Sequence, residues 1–247
     1  MNGGVTTLVM AGAREAQGII TGLLGRGRSV IASLPEPERM FDALPVPTRL
    51  GVFPNTDALE SWLLAENVSC VIDASHAFDA EVSDQAAQVC LSCNIRYVRV
   101  LRTAWLPTQQ DSWTNYPSIA QAAIDLPRNA RAFSNTGRAS LPEFADFKGE
   151  ALFLRQTQKS SRPPPFHFVK FVVGTPPFSQ QAEENLLREL KVSRLICRNV
   201  GGIASKSKLL AARRLGIRVS MIERPDTPEG MPLVTSVAEA MAWEANP

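Results

Sequence analysis

The chain has 247 residues, is 45% hydrophobic and carries a formal net charge of +2. That length suits one or two domains, the apolar content builds a substantial core, and the near-neutral balance carries no global nucleic-acid signature. No apolar run reaches the length of a membrane span, and the opening MNGGVTTLVMAGARE lacks a basic n-region and a signal-length apolar stretch, so a soluble cytoplasmic protein with no membrane partner is expected.

Short β-branched runs alternate with helix-length segments. The pattern predicts a strand at 7–11, a helix at 15–25, strands at 29–33 and 49–53, and a helix at 57–66. It continues with a strand at 68–73, a helix at 81–92 and a strand at 95–101. Residues 105–131, broken by Pro107, Pro117 and Pro127, read as an irregular connection between two α/β halves. Beyond it come strands at 130–134, 151–154 and 168–173, a helix at 180–190, a strand at 194–198, a helix at 206–215, a strand at 217–222 and a helix at 237–243. The SSRPPPFHF stretch at 160–168 reads as a rigid exposed turn. Strand, crossover helix, strand is the pattern of parallel sheets with helices on both faces, so the fold class is α/β.

Four cysteines are present: Cys70, Cys90, Cys93 and Cys197. Cys90 and Cys93 form a C-x-x-C, but a zinc site needs two more ligands and no second Cys or His pair is present. The pair also falls late in a predicted helix, whereas a redox C-x-x-C opens one. The cysteines read as small buried apolar residues, with no metal.

In an open parallel sheet ligands bind beyond the carboxyl ends of the strands, so the strand-to-helix turns carry the functional reading. The first, MAGAREAQG at 10–18, opens a helix but is not G-x-G-x-x-G. It reads either as an anion cradle built on helix amides or as an ordinary tight turn. The second strand ends VIASLP, with Ser33 where an NAD site has Asp or Glu. The missing carboxylate leaves room for a 2′-phosphate, with Arg14, Arg28 or Arg39 to supply charge. In VIDASHAFD, residues 71–79, Asp73 ends a strand, Asp79 is placed to cap the next helix, and His76 lies between them. His76 is either a hydrogen-bonded structural residue or a ligand-facing donor or proton-transfer group.

In the second half, AFSNTGRAS at 132–140 offers Thr136, Gly137 and Arg138 as an anion-binding turn, or simply a turn and cap. The strand at 194–198 delivers Asn199, Gly201 and Gly202, Ser205 is placed to cap the following helix, and Lys208 sits in its first turn. A lysine there opposes the helix dipole, which points to an anion nearby. Residues 188–224 hold ten bases against two acids, Glu189 and Glu223, which reads as a solvated helix face or as a basic patch for a polyanion.

Taken in order, these segments resemble the precorrin-6A reductases of cobalamin biosynthesis. MAGAREA is similar to that family's GGTREA-like turn, DASHAFD at 73–79 to its DATHPFA-like segment, and YVRVLRTAW at 97–105 to its YLRxxRPxW-like segment. NTGR at 135–138 answers a TTGR-like turn, residues 174–178 a GPF element, and residues 199–225 an NSGG…AKLxAAxxLGxPVxMIxRP block. Ala13 stands where the family has threonine, Ala77 and Thr103 where it has proline, and Val200 where it has serine.

The resemblance implies a reductase that passes a hydride from NADPH to one double bond of a polycarboxylate tetrapyrrole, with the metal-free macrocycle favoured over the cobalt form. It implies two Rossmann-like halves with a cleft between them: residues 1–125 binding NADPH and 126–247 contributing to the substrate cleft. Gly12, Ala13, Arg14, Glu15, Ser33, Ala74, Ser75 and His76 are expected at the cofactor. Thr136, Gly137, Arg138, Asn199, Gly201, Gly202 and Lys208 are expected at the substrate. The proton donor is open among His76, a substrate carboxyl group and water. Other readings are a different NADPH-dependent reductase on this scaffold, a non-catalytic two-lobed binder of an anionic metabolite, and nucleic-acid binding through 188–224.

Overall fold

The computed structural model describes residues 5–35, 43–159, 161–203, 205–227 and 229–246. The chain begins β1 (Thr6–Ala11), α1 (Glu15–Gly25), β2 (Ser29–Leu34), β3 (Thr48–Leu50), α2 (Thr56–Ala65), β4 (Val68–Ala74), α3 (Ala80–Ser92) and β5 (Arg96–Val100). It continues β6 (Trp113–Tyr116), α4 (Ile119–Ile124), β7 (Arg131–Ser134), a 3₁₀ segment (Arg138–Phe144), β8 (Ala151–Gln156) and β9 (Val169–Val173). It ends α5 (Gln180–Glu189), β10 (Arg194–Arg198), α6 (Ser207–Leu215), β11 (Arg218–Ile222), β12 (Leu233–Val234) and α7 (Val237–Ala245). No helix among the described residues is long and apolar enough to cross a membrane.

The strands form two parallel six-stranded sheets, ordered β12-β5-β4-β1-β2-β3 and β6-β11-β10-β7-β8-β9. Read from the third strand of each, both follow the doubly wound order 3-2-1-4-5-6. The sixth place is exchanged. β6, which follows β5 along the chain, pairs with β11, and β12, which follows β11, pairs with β5. Compact unit 1 is accordingly 1–103 plus 225–247, and unit 2 is 104–224.

This differs from the expected division at 125/126. Residues 105–131, expected to be irregular, contain β6 and α4. Neither β6 nor β12 advertises itself. β6 is Trp-Thr-Asn-Tyr with no buried residue, and β12 is two residues long. Such edge strands take their pairing from the neighbouring strand's register, because they bury too little to carry a pattern of their own.

Local chemistry explains the helices. In α1, Ala16, Ile19, Ile20 and Leu23 recur at helical spacing and are buried on the first sheet. Each large side chain contributes about 1.5–3 kcal/mol of burial. Gly18 and Gly22 lie on a different face of α1, against α7. A Cβ on Gly18 would stand 3.3 Å from Val237, and one on Gly22 3.1 Å from Met241. Gly18 is therefore a helix-packing glycine. Asn55, Ser118, Ser179 and Ser236 each accept a first-turn amide as N-caps of α2, α4, α5 and α7, worth about 1 kcal/mol apiece. Asp79 occupies the N-cap position of α3. Ser205 does not cap α6: that position is held by Lys206.

Cys90 is buried in α3 and Cys93 follows it, half-buried; all four cysteines are free thiols. Burial pushes the Cys70 thiol up to about 11 and the Cys90 thiol up to about 12. Among the described residues no group of three His, Cys, Asp or Glu side chains is placed to hold a metal.

Candidate functional site

The strand order of the first sheet reverses between β1 and β4, which puts a crevice at their carboxyl ends. Gly12, Ala13, Arg14 and Glu15 follow β1, and Ala74, Ser75 and His76 end or follow β4. The two turns touch. Ala13 N donates to Ala74 O at 2.9 Å. A Cβ on Gly12 would lie 2.7 Å from the backbone nitrogen of His76, so this position has room only for glycine. The Ala13 amide is engaged in this contact and the Ala16 amide donates to Ala13 O at 3.2 Å; the other amides at the start of α1 are the kind that can hold an anion. Arg14 is exposed beside them, and Glu15 is ion-paired to Arg102 at 3.2 Å.

Beneath the second turn lies a buried network that the turn motifs alone do not show. The register pairs Asp73 on β4 with Arg99 on β5, and Tyr97 shares the Arg99 face two residues earlier. Asp73 Oδ1 accepts from Arg99 Nη1 at 2.7 Å and from Ser75 N at 3.0 Å. Its Oδ2 accepts from Tyr97 OH at 2.7 Å. Arg99 also donates to the carbonyls of Asp73, Ser75 and His76 and to Ser75 Oγ. Asp73 is 0% exposed and Arg99 3%. Burial first, and then the charge of Asp73, raise the Tyr97 hydroxyl far above its ordinary value, so it stays a donor. The network fixes the loop that presents His76. His76 Nδ1 accepts from Phe78 N at 3.3 Å, which holds the ring within this loop. The available sequence signal was a tyrosine and an arginine at alternate positions in the strand RYVRV.

Ser33 lies at the end of β2, 8% exposed, in a cleft shared with Met10, Gly51, Phe53 and Ser75. Of the cations expected to serve it, Arg28 is misplaced. It precedes β2, at the amino end of the strand, and pairs with Glu244 at 2.8 Å. Arg39 lies outside the described residues.

The second sheet reverses between β7 and β10, and the remaining expected residues flank that point. After β7, the hydroxyls of Ser134, Thr136 and Ser140 form a buried chain with steps of 2.9 and 2.7 Å. The Thr136 hydroxyl thus belongs to the frame of the turn. Gly137 has φ +86°, and Arg138 reaches the carbonyls of Arg162 and Pro163 at 3.2 Å each, tying the turn to the proline-rich segment.

After β10, the Asn-x-Gly-Gly turn closes on Trp105. Asn199 Oδ1 accepts from Trp105 N at 2.9 Å, and Asn199 Nδ2 donates to Trp105 O at 3.0 Å. Gly201 and Gly202 both have positive φ, +68° and +79°. That course turns the Gly202 carbonyl to accept from the Trp105 indole at 2.7 Å. Lys208 is 5% exposed; its ammonium donates to Ser205 O at 2.7 Å and lies 5.2 Å from the Trp105 ring centroid. The lysine that opposes the dipole of α6 thus has a carbonyl and a ring face as partners. Asn199, Gly202 and Lys208 clasp Trp105, the last residue of YVRVLRTAW, so two separate motifs interlock.

The ten bases of 188–224 do not form one patch. Arg194 and Arg218 sit side by side at the amino ends of β10 and β11, and Arg213 forms a double hydrogen bond with Asp111. Arg198 and Arg224, ending β10 and following β11, are at the carboxyl edge. Arg198 donates to Thr136 O at 3.4 Å and Arg224 to Asn199 O at 2.6 Å.

Residues 6–245 match the family model described as Precorrin-6x reductase CbiJ/CobK. The precorrin-6A reductase of Rhodobacter capsulatus is 31% identical over 240 residues, spanning 97% of this chain and 95% of that protein. That of Rhodococcus erythropolis is 32% identical over 240 residues, 96% of each. The cobalt-precorrin-6A reductase of Methanothermobacter thermautotrophicus is 26% identical over 239 residues, 90% of this chain and 77% of that one. A solved structure titled CobK precorrin-6A reductase superposes with a TM-score of 0.90 at 31% identity, covering 98% of this chain and 97% of that one.

Proposed function

This chain belongs to the Precorrin-6x reductase CbiJ/CobK family and reduces precorrin-6A in cobalamin biosynthesis; we propose that NADPH is its reductant, held at the switch point of the first sheet. The observation that carries the cofactor reading is the end of β2, where Ser33 stands in place of the ribose-binding acid of NAD sites. The close contact of Gly12 with the His76 loop brings two turns against one crevice, as a pyrophosphate site requires. NADPH, when bound, supplies the hydride that the reduction needs.

The chain's own groups bind, orient and complete the reaction. The amides and Arg14 at the start of α1 hold the pyrophosphate. Arg99 and Asp73 fix the His76 loop, and His76 would stand at the mouth of the crevice that takes the nucleotide or substrate. The proton that accompanies the hydride comes from His76, from a substrate carboxyl group or from water.

The carboxylated macrocycle is assigned to the switch point of the second sheet, where Arg198 and the Gly201–Gly202 turn meet. Asn199 and Lys208 act there by shaping the turn through Trp105. The relatives at 31–33% identity are precorrin-6A reductases, whereas the cobalt-precorrin-6A reductases are 25–26% identical, which favours the metal-free macrocycle.

The test is an anaerobic assay with precorrin-6A and either NADPH or NADH, following tetrapyrrole absorbance. NADPH-dependent loss of the substrate spectrum, with matching nucleotide oxidation, is the expected result. A clear preference for NADH would overturn the reading of Ser33. Lys208→Ala is expected to weaken precorrin binding more than NADPH binding, and unchanged precorrin affinity removes Lys208 from the substrate side.

A further inference from the structure

We propose that Arg49 grips the adenosine 2′-phosphate of the nucleotide and, with Ser33, forms a phosphate subsite at the carboxyl edge of β2 and β3; this rests on the NADPH reading above. The register of the two strands places Ser33 directly beside Arg49. The cleft at Ser33 continues along Gly51, Val52 and Phe53, the residues that follow β3.

The Arg49 guanidinium is already fixed along that edge. It donates to Gly51 O and, at 3.3 Å, from Nη2 to Val52 O. Its carbon lies 3.6 Å from the Phe53 ring centroid, a close cation–π contact. Two carbonyl acceptors engage only part of a fork that carries five N–H donors. No carboxylate among the described residues forms an ion pair with Arg49, whereas Arg26, Arg28, Arg99, Arg102 and Arg131 of this chain each have one. A half-buried, preoriented cation without a counter-anion among the described residues, next to a hydroxyl where an acid would repel phosphate, is the chemistry of a phosphomonoester site. Arg28, the other cation of this strand pair, is at the wrong end of β2 and is spent on Glu244.

The test measures binding rather than turnover. Equilibrium titrations with NADP⁺, NAD⁺ and 2′,5′-ADP, which carries the 2′-phosphate without the nicotinamide, are run on the wild-type chain and on Arg49→Leu, Arg49→Lys and Ser33→Asp. Arg49→Leu is expected to weaken NADP⁺ and 2′,5′-ADP by about 10- to 100-fold, the size of a lost charge-assisted contact, with NAD⁺ changed by less than about twofold. Arg49→Lys should fall between, and Ser33→Asp should reverse the preference toward NAD⁺. Unchanged NADP⁺ and 2′,5′-ADP affinity in Arg49→Leu, or an equal loss for NAD⁺, overturns the assignment while leaving NADPH as reductant. A wild-type chain that binds NAD⁺ as tightly as NADP⁺ removes the NADPH reading and the subsite with it.

Discussion

Arg99 and Asp73 form a buried ion pair, and the two partners are not equally replaceable. Removing Arg99 as Arg99→Met leaves a fully buried carboxylate with two donors among the described residues, Tyr97 OH and Ser75 N. An uncompensated buried charge of this kind costs about 3–5 kcal/mol. Removing the charge of Asp73 as Asp73→Asn leaves Arg99 with the carbonyls of residue 73, Ser75 and His76 and with Ser75 Oγ. The guanidinium then keeps most of its hydrogen bonds, and the cost falls to about 1–3 kcal/mol. Against a total stability of about 5–15 kcal/mol for a domain, the first variant consumes a large share and the second a modest one. Urea unfolding of both single variants and the double variant, read by circular dichroism, gives the order and the coupling. The double variant should cost about 1–3 kcal/mol less than the sum of the singles. Equal destabilisation by the two single changes, or strict additivity, would falsify the network as the support of the His76 loop.

Gly12→Ala drives a Cβ to 2.7 Å from the His76 nitrogen; it should cost about 1–3 kcal/mol and weaken NADP⁺ binding, both measurable by titration and melting. Unaltered nucleotide affinity in a folded Gly12→Ala protein would separate the two turns from the cofactor site. Trp105→Phe removes the indole donor to Gly202; hydrogen exchange of residues 199–203 should quicken, with about 1–2 kcal/mol lost from unit 2. Protection equal to wild type would mean that the turn does not depend on the clasp. At pH 8 the buried thiols of Cys70, Cys90 and Cys197, all held above their ordinary range by burial, should resist Ellman's reagent. Cys93 alone should react quickly, and all four after unfolding; two fast thiols in the native protein would show that α3 opens near Cys90.

Period and punctuation made most strands and helices readable, because each buries an apolar face against a sheet. The first helix, Glu15–Gly25, lies where its spacing of Ala16, Ile19, Ile20 and Leu23 puts it. The positions of the turn residues were readable for the same reason, since strand ends fix where turns occur. What those residues touch was not. Asn199 and Lys208 look like ligand contacts because they are polar residues in a glycine turn and a first helical turn. Their partner, Trp105, lies about a hundred residues away in sequence, and local chemistry carries no sign of that distance. Arg49 was passed over for a related reason: only the pairing of β2 with β3 brings it beside Ser33. The strand exchange was hidden because β6 and β12 are too short and too polar to announce which sheet they join.

That exchange has a consequence for synthesis and for cleavage. β12 and α7 belong to unit 1, but residues 104–224 must emerge before them. While unit 2 is being made, unit 1 therefore stands with β5 as an open edge and with the Gly18–Gly22 face of α1 uncovered. A stretch made after all of unit 2 thus completes the sheet whose other five strands precede unit 2. The chain also passes between the units twice, at 103–104 and at 224–225. A single nick in either passage leaves them tethered through the other, and separating them takes two cuts.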